Sequence, residues 1–258
     1  MTPRKVALIT GSGTGVGAAT ALSLAGRGYD IVINYSRSEE DAQRSADACR
    51  EAGADVLLMR ADVSLDADCR ALVDATIARW GRLDALVNNA GISVFGKAAE
   101  WDSLGVEDFQ RILAVNTIGP FQMVRACVKH LKATQGCIVN VSSVAGALGV
   151  GSSMPYIASK GAMNAMTLNL ARTLAPAIRV NAVCPGLITS RWFVNGVGQE
   201  AADKGRASYE AGVPLERASS PEDVAEAVTW LVDGARTVTG ELVLLDSGMH
   251  LGGIYKRG

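Results

Sequence analysis

Seven short apolar runs punctuate the chain, and between them apolar positions recur with a helical period. The runs cover 5–10, 30–35, 55–61, 85–88, 137–141, 179–183 and 241–245. Val, Ile and Leu follow one another in them with little polar alternation, which predicts strands covered on both faces. Helices are predicted over 15–27, 39–52, 66–80, 104–132, 155–174 and 221–232. Ser38 before Glu39, Glu40 and Asp41 predicts an N-cap and an acidic first turn. Ser220-Pro221-Glu222-Asp223 predicts a second cap, with proline at the first helical position. Strand and helix in repeated alternation predict an α/β, doubly wound parallel sheet of seven strands with helices on both faces. The rhythm runs to the last strand, so residues 1–258 read as one domain. It breaks only at 186–215, a stretch too long for a routine connection and a candidate lid.

Composition narrows the function classes. Hydrophobic residues make up 48% and charged residues 20%, which excludes a disordered chain. The net charge of −1 offers no basic excess for nucleic acid or a membrane surface. No apolar stretch reaches the 18 residues of a bilayer span, and the start MTPRKVALITGSG lacks a signal segment, so a cytoplasmic protein is expected. Cys49, Cys69, Cys127, Cys137 and Cys184 form no C-x-x-C pair and read as small buried residues. With only His130 and His250 besides, no metal site is expected.

The first run ends at Thr10, and Gly11-Ser12-Gly13-Thr14-Gly15-Val16-Gly17 follows it and opens a helix. Glycines let the backbone turn and approach a pyrophosphate, and the helix start supplies unpaired N–H groups. The second run ends Asn34-Tyr35-Ser36-Arg37, without the acid that would hold an unphosphorylated ribose. Ser36 and Arg37 suit a 2′-phosphate, so NADP(H) is preferred and NAD(H) stays open.

Ser143 lies just past the fifth run, at the carboxyl edge of the sheet. Tyr156 follows thirteen positions later and Lys160 four after that, on one helix face. A cation about 4 Å away is worth up to about 4 kcal/mol at an effective dielectric near 20, enough to lower a phenol's pKa by about 3. Tyr156 then becomes a general acid–base beside Lys160, with Ser143 holding the substrate oxygen.

With these pieces in this order, the chain resembles the short-chain dehydrogenase/reductase family over essentially its full length. Asp62-Val63, Asn88-Asn89-Ala90-Gly91, Asn116 and Pro185-Gly186 complete the resemblance. It implies a Rossmann fold and hydride transfer between a nicotinamide and a small ketone or secondary alcohol. Tyr156 would handle the proton, Ser143 would orient the carbonyl, and Lys160 would bind the nicotinamide ribose. Asn116 would hold a water relaying protons towards Lys160. Asp62 and Val63 would contact adenine, and Asn89, Ala90 and Gly91 would wall the adenosine and ribose side. Pro185, Gly186, Ile188 and Thr189 would flank the nicotinamide. A substrate pocket of Phe95, Leu148, Met154, Leu187, Trp192 and Phe193 is expected, within a wall spanning 93–97, 147–154 and the 187–215 lid. The resemblance also implies a homodimer or homotetramer through the 104–132 and 155–174 helices, with the 248–253 segment as a further interface. His250 is expected as a core or interface residue.

Two alternatives stay open. A 3-oxoacyl-carrier-protein reductase would need exposed cations at the mouth of the site, whereas 134–136 reads Thr-Gln-Gly and 175–177 reads Ala-Pro-Ala. Arg125, Lys129 and Lys132 share a helix face, read as solvated. A catalytically silent cofactor-binding sensor would share the fold without the chemistry.

Overall fold

The computed structural model describes residues 3–95 and 101–252. Its seven strands, β1 (Lys5–Ile9), β2 (Tyr29–Tyr35), β3 (Val56–Arg60), β4 (Ala85–Asn88), β5 (Cys137–Val141), β6 (Arg179–Pro185) and β7 (Leu242–Leu245), form one parallel sheet. The order is β3-β2-β1-β4-β5-β6-β7, the doubly wound arrangement the alternation predicts. Val6 and Leu8 join the core on one face, while Ala7 and Ile9 join the core on the other. This explains the unbroken apolar runs, since alternate side chains go to opposite faces and both faces are buried.

One core is closed by α1 (Gly15–Gly26), α2 (Glu39–Glu51) and α10 (Pro221–Thr229). The other is closed by α3 (Asp66–Trp80), α5 (Gly119–Thr134) and α7 (Met154–Leu174). All five cysteines are free and buried.

Several element boundaries differ from expectation. The predicted 104–132 helix is α4 (Val106–Leu113), a π turn over Ala114–Ile118, and then α5. A second π turn, Trp230–Gly234, ends α10. The Ser220 cap forms as expected, its hydroxyl accepting from the Asp223 N–H at 3.1 Å and the Asp223 carboxylate accepting from the Ser220 N–H at 2.7 Å. Ser38 sits at the start of α2 but its side chain makes no capping bond, which corrects that expectation. Its ψ of 70° departs from the extended backbone usual at an N-cap. Pro155 falls within the first turn, one residue after the helix starts at Met154.

The 186–215 stretch contains two helices, α8 (Arg191–Val197), which carries Trp192 and Phe193, and the more polar α9 (Gln199–Gly212). Between β5 and α7 stands the one-turn α6 (Ala145–Leu148). Among the described residues, no helix is long and apolar enough to cross a membrane.

Candidate active site

Strand order reverses between β1 and β4, so connections leave in opposite directions and open a crevice at the carboxyl ends of the strands. A cleft of about 1200 Å³ lies there. The glycine loop forms one wall, with Gly11, Gly13, Thr14, Gly15 and Val16 on its surface. Gly11 and Gly15 have φ of +63° and +56°, values L side chains rarely adopt. A Cβ at Gly17 would stand 2.5 Å from Asn89 Nδ2 and 2.6 Å from the Gly11 oxygen. Ser12 and Gly17 are buried beneath the wall and shape it from behind.

The loop is stitched to its neighbours by side chains. Asn89 Nδ2 donates to the carbonyls of Thr10 and Gly11 at 2.9 and 3.0 Å. Thr10 Oγ1 accepts from the N–H groups of Asn89 and Ala90, each at 3.0 Å. The Gly11 N–H donates to Asn34 Oδ1 at 3.1 Å. Thr10 and Asn34 are named from the sequence, at the head of the loop and the tip of the second run, but without this bracing role. Their only signal was their place at a strand tip.

At the α1 N-terminus, Thr14 makes no side-chain capping bond, so the first N–H groups face the cleft without a side-chain partner. An anion fits there. Ser36 and Arg37 lie exposed on the rim, and Arg37 is in no ion pair among the described residues. Asp62, Val63, Ala90, Gly91, Pro185, Gly186, Ile188 and Thr189 also line the cleft. Asp62 is partly committed, its Oδ1 accepting from the Ser64 N–H and hydroxyl at 2.9 and 2.7 Å.

At the opposite end Ser143, Tyr156 and Lys160 converge. The Ser143 hydroxyl accepts from the Ala145 N–H at 3.1 Å and donates to the Pro185 carbonyl at 3.4 Å. Burial pushes the Tyr156 phenol up to about 12, and a hydrogen bond with Ser143 pulls against it. Lys160 is buried, its Nζ donating to the Val141 carbonyl at 2.8 Å and lying 5.7 Å from the Tyr156 ring centre. The expected lowering of the phenol by Lys160 is absent from this arrangement. The Lys160 amine donates to the Val141 carbonyl, and burial dominates the phenol. Burial pulls Lys160 itself down to about 8.

That drop sets a pH dependence. Below about pH 8 the folded protein carries the full cost of a buried charge. Between 8 and the ordinary lysine value of 10.5 the unfolded chain holds a proton the folded one lacks, so stability rises with pH. At about 1.4 kcal/mol per pH unit the gain is about 3 kcal/mol. The five buried thiols, pushed up by burial, oppose it above pH 9. Urea unfolding of the cofactor-free protein beside Lys160→Met isolates the lysine: the wild type should gain about 3 kcal/mol on the variant over this window, and parallel curves would refute it.

The Asn116 side chain lies behind the cleft, within the π turn. Its Oδ1 accepts from the Ile92 N–H at 2.8 Å, and its Nδ2 donates to the Ile92 carbonyl at 2.9 Å and Ser159 Oγ at 3.0 Å. The amide is thus spent on holding the loop after β4. Phe95, Leu187, Trp192 and Phe193 line the cleft, whereas Leu148 and Met154 do not and are exposed elsewhere. Gly149, at φ +71°, ends α6, and Val150, Gly151 and Ser152 beyond it line the cleft. Gly96 and Lys97 of the expected wall and Gly253 of the expected interface fall outside the described residues.

Side chains of both helices in the 186–215 segment tie it to the body of the fold. Tyr209 donates to the Asp246 carbonyl at 2.7 Å, and a Cβ at Gly186 would meet its hydroxyl at 2.3 Å. Arg191 lies 3.0 Å from Asp41 at the start of α2 and holds that carboxyl below the usual range. No local signal in the sequence links Asp41 with Arg191. His250 lies outside the cleft lining, its Nδ1 2.9 Å from the Asp246 carboxylate.

Residues 11–250 match the family model described as Enoyl-(Acyl carrier protein) reductase. The chain is 45% identical over 248 residues to the protein assigned as ketoacyl reductase 2 of the granaticin polyketide synthase from Streptomyces violaceoruber, covering 95% of this chain and 96% of that one. It is 37% identical to 3beta-hydroxysteroid dehydrogenase 1 of Eggerthella lenta, covering 96% and 94%. A solved structure described as a short-chain dehydrogenase/reductase from Burkholderia xenovorans superimposes with a TM-score of 0.90 at 39% identity, covering 98% of this chain and all of that one.

Proposed function

The chain belongs to the short-chain dehydrogenase/reductase family, and from that premise we propose an NADP(H)-preferring oxidoreductase acting on a small ketone or secondary alcohol. The observation that carries the reading is the convergence of Ser143, Tyr156 and Lys160 at one end of a cleft whose other end is an uncapped helix start behind a glycine loop.

The residues fit a nicotinamide dinucleotide. The glycine loop and the α1 N–H groups would hold the pyrophosphate, and Ser36 and Arg37 the 2′-phosphate. Asp62 and Val63 would take the adenine, and Lys160 the nicotinamide ribose. When bound, the dinucleotide supplies or accepts a hydride at the substrate carbon.

The chain's own groups manage the oxygen. Ser143 orients it with its hydroxyl, and Tyr156 donates its proton during reduction or takes one during oxidation. A phenol kept protonated by burial is ready to donate. Asn116 acts at one remove by holding Ile92 and Ser159 in place, and a water beside it would carry protons towards Lys160.

Residues 1–258 work as one domain, with 186–215 as the lid over the substrate end. The exposed Val106, Ile118 and Phe121 on α4, the π turn and α5 supply an apolar face for a homodimer or homotetramer. Arg125 is engaged with Asp66, which weakens the α5 cations as a landing site for an acidic carrier protein. A cytoplasmic location accords with five buried, unpaired cysteines.

Titration with NADPH and NADH, followed by turnover against a ketone panel, tests the reading. Turnover of an acyl-carrier-protein substrate far above its small thioester analogue would favour the carrier-protein reductase. Cofactor binding without turnover would favour a sensor. Arg37→Ala should reduce the preference for NADPH over NADH by about tenfold, the loss of one charge-assisted contact. Fluorescence titration of both cofactors measures it, and an unchanged ratio would remove Arg37 from the phosphate site.

A further inference from the structure

We infer that the aromatic patch beside Tyr156 selects a carbonyl carried on an aromatic or fused planar ring, with Gly196 as the positioning residue that builds the patch. The inference rests on the oxidoreductase reading and names the substrate class for that site.

Aromatic residues are scarce in this chain, at 5%, yet four gather here. Phe95 lies 5.2 Å from Trp192 and 6.1 Å from Phe193 between ring centres, and Tyr156 lies 6.1 Å from Trp192. All the pairs are tilted, at 58°, 54° and 41°. Trp192 remains 44% exposed while lining the cleft, so much of its surface is left to be covered.

The lid backbone is shaped to the rings. Gly196 lies inside α8, outside the left-handed region, so its backbone does not demand glycine. A helix interior disfavours glycine. Its reason lies in the contact: a Cβ there would stand 2.0 Å from Phe95 Cε2 and 2.3 Å from Cδ2. Any side chain at 196 must displace Phe95. Gly205 in α9 repeats the device more loosely, its Cβ position 3.2 Å from Phe193 Cζ.

The spacing turns the patch into a filter. A flat ring between two others needs roughly 7 Å, two carbon contact distances of roughly 3.5 Å. The Tyr156–Trp192 separation of 6.1 Å is less, so a ring seated between the two must part them. A planar aromatic group replaces the lost ring contact with its own. An aliphatic carbonyl breaks the contact and leaves the indole uncompensated. One aromatic contact of this kind corresponds to up to about tenfold in affinity.

The experiment uses the full chain with NADPH and compares kcat/KM for 2-tetralone and cyclohexanone. The wild type should favour tetralone by up to about tenfold. Gly196→Ala and Trp192→Leu should each erode that ratio about tenfold, with the loss in KM for tetralone and not in kcat. Retained NADPH affinity shows that each variant is folded. A parallel titration, with NADP⁺ bound, follows quenching of Trp192 fluorescence by tetralone, using Trp192→Leu as the blank. Equal kcat/KM for the two ketones in the wild type overturns the inference and leaves the oxidoreductase reading standing. Quenching without reduction of either ketone supports the patch and counts against that reading. Absence of both quenching and reduction overturns the inference.

Discussion

Tyr156→Phe should lower kcat by roughly 10²- to 10⁴-fold, the range for removing a general acid–base. The change deletes one oxygen and keeps the ring. The 6.1 Å contact with Trp192 therefore survives, and so does the wall facing the cofactor. NADPH affinity should stay within about twofold. The phenol, pushed up to about 12 by burial, holds its proton at neutral pH, and Ser143 is the group pulling the other way. Single-turnover reduction beside equilibrium binding separates the chemical step from cofactor loading. Equal turnover in the variant would remove Tyr156 from the reaction.

A methyl group at Gly146 should be nearly as damaging, by another route. The Cβ of Gly146→Ala would lie 2.4 Å from the Lys160 carbonyl carbon and 2.6 Å from the Gly161 nitrogen. Both are backbone atoms of α7, the helix that carries Tyr156 and Lys160, so no rotamer change relieves the contact. Overpacking of this kind costs about 1–3 kcal/mol, or roughly 2–6 °C in Tm for a chain this size. A catalytic group displaced by about 1 Å loses roughly 100-fold in rate. Gly161→Ala is the control. Its Cβ would meet only the Gly146 oxygen, at 3.8 Å, and alanine suits a helix interior better than glycine. Thermal unfolding and kcat for the two variants should diverge, and equal behaviour would refute the close packing of α6 on α7.

Much of this was legible in the chain. Strands buried on both faces carry their signature in consecutive apolar residues, as β1 and β2 do. Tyr156 and Lys160 share a face because four residues make about one helical turn. What escaped was set by contacts distant in sequence. The π turn at Ala114–Ile118 adds no residue type that marks it. Leu148 and Met154 share the composition of a pocket wall, but the one-turn α6 and the start of α7 leave them exposed outside the cleft. Four-residue spacing brings an ammonium near a ring without saying whether it faces the hydroxyl. The Val141 carbonyl takes the amine's hydrogen bond, and it belongs to β5, nineteen residues earlier in the chain. The Asp41–Arg191 pair joins residues 150 positions apart.

The cleft opens where β1 meets β4, and that junction joins segments about eighty residues apart, with Ala7 beside Ala85. The glycine loop and the Asn89–Gly91 wall come from opposite sides of it, and Tyr156 and Lys160 arrive later still in the chain. A folding polypeptide therefore has nowhere to hold a dinucleotide until its long-range strand pairing is complete. A cofactor that binds only the finished sheet deepens the native well by RT ln(1 + [L]/Kd). That gain falls on the unfolding rate and leaves the refolding rate where it was. In a cell, the nicotinamide pool would then govern how long each molecule survives between unfolding events, with no influence on how quickly new ones form.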